Sequence, residues 1–131
     1  MASIFTKIIN GEIPCYKLAE DDRYIAFLDI RPVTKGHALV VPKEETDYLF
    51  DLPPDTLGGL MPFAQRVAAA IRAAAPCKRI GVAVLGMEVP HAHVHLIPLN
   101  AESDLDFRKA SSLLSPEEMD ALAARIRSYF Q

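Results

Sequence analysis

The sequence predicts an α+β fold: a largely antiparallel, five-stranded sheet with helices packed on it. Three observations lead there. Five short apolar runs of strand length are separated by turn residues, two stretches repeat their apolar residues at helical spacing, and half of the 131 residues are hydrophobic. A chain of this size and composition can bury one substantial core, so residues 1–131 are expected to form a single domain. No internal repeat and no low-complexity linker divides it.

Residues 15–20, the Asp21-Asp22 turn and residues 24–28 read as a hairpin, the second arm alternating aromatic and aliphatic side chains. After Arg31-Pro32 and the Lys35-Gly36 turn, residues 37–42 are dense in branched aliphatics. Residues 79–85 and 93–98 supply the fourth and fifth strands. Between the third and fourth, Leu57, Leu60, Met61, Ala64, Val67, Ala68 and Ile71 recur at helical spacing and predict a helix over 55–75. Pro62 interrupts that pattern. Either the helix kinks there, or Pro62 occupies a first turn after a tighter lead-in through Gly58-Gly59. In the segment 101–131, Ser115-Pro116-Glu117-Glu118 offers a capping Ser, Pro at the first helical position and Glu three residues after the cap. A terminal helix should follow with Met119, Leu122, Ala123, Ile126 and Tyr129 turned inward.

Composition excludes several classes of function. The net charge is −3 and the Lys and Arg residues are scattered, so no basic stripe is available to a nucleic acid. No apolar run approaches the roughly 20 residues of a membrane span or the core of a signal peptide, which predicts no membrane partner and a cytoplasmic protein. Cys15 and Cys77 lie far apart without CxxC spacing and read as idle thiols in a reducing compartment.

Residues 91–98 read HAHVHLIP. In an extended segment His91, His93 and His95 share one face and Ala92, Val94 and Leu96 the other, so the apolar set can meet the core while the imidazoles line a cleft. One histidine on a strand, such as His37, is ordinarily structural or solvated; three in register call for chemistry. Two chemistries suit them. A metal is one, but the outer two stand about 13 Å apart along a strand, so all three cannot converge on one ion and other ligands would be required. The other is a histidine nucleophile for phosphoryl or nucleotidyl transfer. A neutral imidazole attacks phosphorus with one nitrogen while the other keeps its proton, and neighbouring imidazoles donate to the phosphate oxygens.

HAHVHLIP resembles the histidine triad signature of the HIT superfamily of nucleotide hydrolases and transferases. The likeness extends to SIFTKIINGEIP, AFLDIRP and GHALVVPK, and covers residues 4–99. It implies hydrolysis of nucleoside phosphoramidates, or of related nucleoside monophosphate esters or anhydrides, releasing AMP through a covalent nucleotidyl-histidine intermediate. It further implies a homodimer whose central strands join into one sheet, a purine nucleoside monophosphate or its derivative as ligand, and no cofactor. Residue by residue, His93 matches the nucleophile, His95 a phosphate contact, and His91 and His37 the partners that hold the imidazole network. Asp29 matches the carboxylate that receives the ribose hydroxyls. Phe5, Ile8, Phe27, Leu28 and Ile30 match the apolar walls of the base pocket, with Leu39 nearby, although each would also serve as core. Asp29, set between Leu28 and Ile30, has no evident packing use.

The sequence departs from the family pattern in three places. Bacterial relatives commonly hold a structural zinc with an N-terminal CxxC, a His after the Pro-Lys pair and the first triad His. Here Ser3 and Thr6 stand in the cysteine places and Glu44-Glu45 follows Pro42-Lys43, so no metal is expected. Where the family commonly presents a phosphate-contacting Gln or Ser, Gly86-Met87-Glu88-Val89-Pro90-His91 places Met87, which cannot donate a hydrogen bond. The Asn-rich loop usual before that Gly is replaced by GVAVLG. Two rival readings follow: a purine nucleotide-binding protein with negligible turnover, and a metal-dependent enzyme built on a His-x-His pair.

Overall fold

The computed structural model describes residues 2–131. Five strands, β1 (Lys17–Glu20), β2 (Tyr24–Leu28), β3 (Ala38–Pro42), β4 (Arg79–Ala83) and β5 (Val94–Leu99), form one sheet in the order β1-β2-β3-β5-β4. Every neighbouring pair is antiparallel. Helix α1 (Ile4–Ile9) lies on one face; α2 (Pro54–Ala74) and α3 (Pro116–Tyr129) cover the other. The predicted class therefore holds, with every strand boundary within two residues of the predicted one.

β2 and β3 are buried along their whole length, because both faces of the sheet are covered there. Alternation still sorts their side chains. Tyr24, Ala26, Leu28, Ala38 and Val40 join the core beneath α2 and α3, whereas Ile25, Phe27, Leu39 and Val41 pack with Phe5 on the α1 side. The same alternation continues into 92–96, where Ala92, Val94 and Leu96 enter the helix-side core and the histidines between them take the opposite side, as the spacing predicts.

α2 starts at Pro54 and runs unbroken through Pro62, so the lead-in alternative fails. Pro62 is exposed, and Gly58, whose carbonyl it leaves without an amide donor, is an exposed residue as well, within reach of water. Gly59 has a different use: a Cβ there would overlap the hydroxyl of Tyr24, which donates to the Thr56 carbonyl at 2.7 Å and ties β2 to the helix. Met61, predicted to face inward, is 49% exposed, because Phe63 and Ala70 shift the buried stripe round the helix. α3 begins with the predicted capping box, Ser115 and Glu118 bonding each other's backbone amides at 3.1 and 2.8 Å. Met119, Leu122, Ala123 and Ile126 are buried; Tyr129, in the last turn, is 48% exposed and so corrects the expectation. Among the described residues no helix is long and apolar enough to cross a membrane.

Candidate active site

On the α1 side of the sheet, opposite α2 and α3, a cavity of about 490 Å³ opens between α1, the end of β2, β3, the 85–89 loop and β5. Phe5, Ile8, Phe27, Leu39, His93 and His95 line it, with Asp29, Ile30 and Met87 toward its rim. Its size and mainly apolar walls suit a small organic ligand with a few polar anchors. Two of the expected wall residues contribute less than the others. Leu28 borders the cavity but its side chain belongs to the helix-side core, because it alternates with Phe27. Ile30 is 71% exposed, since β2 ends at Leu28 and the chain has already turned outward.

The triad is divided in depth. His93 and His95 face the cavity, while His91 lies fully buried behind them and β5 begins only at Val94. His37, just before β3, is buried beside His95. Burial pushes His37 and His95 down to about 4, neighbouring imidazoles adding to the effect at His95, and burial also lowers His93 below its ordinary value. These three rings are therefore neutral at pH 7, and their partners dictate where each proton sits.

The Val33 amide can only donate, so His37 Nδ1, 3.0 Å away, must accept. The proton of neutral His37 is then on Nε2, which donates to His95 Nδ1 at 2.9 Å. That leaves the proton of His95 on its own Nε2. A carbonyl can only accept, so His93 carries its proton on Nδ1 and donates at 2.7 Å to the carbonyl of His91. His93 Nε2 is thereby a bare lone pair. No buried side-chain nitrogen or oxygen among the described residues lacks a partner, and Nε2 of His93 has none from the protein, so it is open to the cavity its ring lines. The site thus sets an unprotonated imidazole nitrogen next to an imidazole N–H donor, with ring centroids 5.0 Å apart.

Asp29 follows β2 at the cavity rim. Its Oδ1 accepts from the Arg31 amide at 2.9 Å and its Oδ2 lies 3.7 Å from His37 Nε2. Asp29, His37 and His95 bring three ligand-type atoms within 4.8 Å of one another. Their hydrogen bonds argue against an ion there, since His37 Nε2 must carry the proton that a metal would displace, and Nδ1 is already engaged.

Three features of the site were missed from sequence. Phe107, in the turn Phe107–Lys109, packs edge-on against His95 with centroids 4.9 Å apart, and is held there by Ser111 and Arg31 bonding to Pro32 and Ala110. Glu88 also lines the cavity, so that with Asp29 it gives two acids and no Lys or Arg in the walls. Cys15 is a third wall residue, a free thiol whose pKa burial raises.

A HIT domain family model matches residues 10–102, which include His37, Asp29 and the whole triad. The chain belongs to the HIT family. Adenosine 5'-monophosphoramidase hnt1 of Schizosaccharomyces pombe is 39% identical over 134 residues, spanning 98% of each chain. Among solved structures, a Hit-like protein involved in cell-cycle regulation from Bartonella henselae superposes with a TM-score of 0.85 at 32% identity, covering 98% of this chain and 96% of that one. A zinc-bound histidine triad family protein of Mycobacterium smegmatis gives 0.83 at 30% identity, covering 98% and 93%.

The zinc of such a HIT protein has no matching ligand set here. At the corresponding places Ser3 meets His91 and, with Thr6, bonds Glu45, but hydroxyls are poor zinc ligands and the His91 Nδ1 lone pair is engaged by Ser3 at 2.7 Å. Glu45 and His91 alone fall short of a tetrahedral site.

Proposed function

We propose that this protein hydrolyses nucleoside phosphoramidates, or related nucleoside monophosphate esters and anhydrides, releasing a nucleoside monophosphate such as AMP by double displacement. The observation that carries this reading is the bare Nε2 of His93 beside the Nε2–H of His95, both set by hydrogen bonds that end on backbone groups. His93 Nε2 forms a bond to phosphorus as the bond from phosphorus to the leaving amine breaks, and the amine takes up a proton from solvent at the open side of the cavity. Water then attacks phosphorus and gives up a proton to solvent, the bond to Nε2 breaks, and the nucleoside monophosphate is released. The positive charge that His93 gains as an intermediate rests against the His91 carbonyl, and His95 Nε2–H donates to the phosphoryl oxygens. The apolar slot of Phe5, Ile8, Phe27 and Leu39 takes the base, and Asp29 the ribose hydroxyls.

As partners we propose a purine nucleoside monophosphate or its derivative and a second copy of the chain, within a single domain and a cytoplasmic setting that suits its two free cysteines. β4 is an edge strand with Val82 exposed next to the exposed Met61 of α2, a surface suited to joining two sheets. Light scattering of the purified protein tests the dimer.

A second reading, nucleotide binding without turnover, draws on Met87, which is 85% exposed at the rim and offers no donor to phosphate. The deciding experiment is AMP release from adenosine 5'-phosphoramidate in the presence of EDTA, with His93→Ala alongside. Turnover that survives chelation and vanishes in the variant is the expected result. Tight AMP binding with no turnover by wild type selects the second reading, and loss of turnover in EDTA would point to a metal enzyme.

A further inference from the structure

The mismatch with zinc leaves a buried cluster that the reaction has not yet used. Ser3 is 6% exposed and His91 is fully buried. The His91 ring is held from both sides: Nε2–H donates to the Pro42 carbonyl at 2.8 Å, so Nδ1 accepts from the Ser3 hydroxyl at 2.7 Å. Ser3 is fixed in turn. Its hydroxyl accepts from the Thr6 amide at 3.0 Å, capping α1, and its own amide donates to Glu45 Oε1 at 2.7 Å. The Thr6 hydroxyl donates to the same carboxylate oxygen at 2.6 Å. One segment therefore grips the histidine at several points, since Pro42 holds the ring, the Thr46 carbonyl receives the Ala92 amide at 2.7 Å, and Glu45 holds α1.

What this cluster orients is a carbonyl. The carbonyl of His91 is the acceptor that keeps the His93 proton on Nδ1 and so keeps Nε2 bare. A ring gripped on both nitrogens, with the amide of His91 bonded to Val89 and that of Ala92 to Thr46, leaves that peptide group little freedom to turn. We propose that Ser3, Thr6 and Glu45 form a metal-free clasp that fixes His91 and, through its carbonyl, aims the nucleophile His93. Ser3 and Glu45 are thus positioning residues. They touch neither cavity nor substrate, and they occupy the places where zinc-holding relatives keep metal ligands. The inference rests on His93 being the nucleophile.

Three measurements on the full-length protein test it. Zinc content after incubation with zinc and desalting should be far below one per chain; a stoichiometric ion that leaves activity unchanged on binding would overturn the clasp. Steady-state kinetics on adenosine 5'-phosphoramidate should show Ser3→Ala and Glu45→Ala lowering kcat roughly tenfold with KM nearly unchanged, the cost of a slightly misaimed reacting group, and Ser3→Thr recovering most of it. Glu45 is exposed, so its variant is expected to fold even where Ser3→Ala does not. An anchoring role confined to α1 predicts the reverse: because Phe5 and Ile8 line the base slot, KM rises and the melting temperature falls while kcat holds, and that result overturns the proposal. Nitrogen-15 spectra of the imidazoles separate the clasp from the proposed reaction. If wild type proves inactive, the phosphoramidase reading falls, and movement of the His93 signals in Ser3→Ala still supports the clasp, whereas unmoved signals refute it.

Discussion

The two faces of the sheet are built from the same strands and do opposite work. Beneath α2 and α3, Leu60, Val67, Ile71, Val40, Val94 and Leu96 are at most 1% exposed and belong to one hydrophobic core. On the α1 side the strands and their approaches present Phe27 and Leu39 together with His93 and His95, around a cavity. Polar rings tolerate burial there because each is bonded in series to a group that cannot reverse its role, an amide or a carbonyl. Stability and chemistry are thereby separated by the thickness of one sheet, and substitutions on the two sides should not trade effects.

The sharpest contrast comes from His93→Ala, expected to lower phosphoramidase turnover by roughly 10³-fold or more while leaving the melting temperature within a few degrees of wild type. Leu60→Ala, on the other face, should behave in the opposite sense, losing about 2–5 kcal/mol of stability in urea titrations with kcat of the folded protein within about twofold. Comparable loss of kcat in Leu60→Ala would mean that the faces are coupled. Asp29→Asn should raise KM roughly tenfold, and the penalty should vanish on a substrate lacking both ribose hydroxyls. A penalty that persists on that substrate would assign Asp29 to the His37 network instead.

The smallest effect is on stability against pH. His37 and His95 titrate near 4 when folded against 6.5 ordinarily, so over that interval the unfolded chain binds protons that the native state refuses. Their contribution is complete above pH 6.5 and is lost as pH falls toward about 4. Thermal melts should therefore shift down by several degrees between about pH 7 and pH 5. A flat profile would mean that these rings titrate in the folded protein as they do in the unfolded chain.

Much of this architecture was legible in the chain. The alternation of 91–96 sorted histidines from aliphatics correctly, and Ser115-Pro116 with Glu118 marked the start of α3. What failed did so for geometric reasons. Helical spacing admits Met61 and Tyr129 to an apolar stripe, but only packing decides where the stripe ends. β2 is buried on both faces, so alternation puts Leu28 and Phe27 on opposite sides but nothing local says which side carries the cavity. Phe107 reaches His95 only because the chain returns to the site after β5, and no pattern near 107 announces it. The Ser3, Thr6 and Glu45 cluster left a faint signal, three polar residues standing together where relatives keep metal ligands, yet its bonds span about forty residues and more.

The Val33 amide has a consequence for turnover. Because a backbone N–H cannot accept a proton, the two-imidazole relay that begins there has one permitted polarity, running from the loop toward the cavity. It behaves as a diode. A proton that left His95 Nε2 toward the cavity could not be replaced by flipping the relay, so it would have to return from the cavity side, where entering water can supply it.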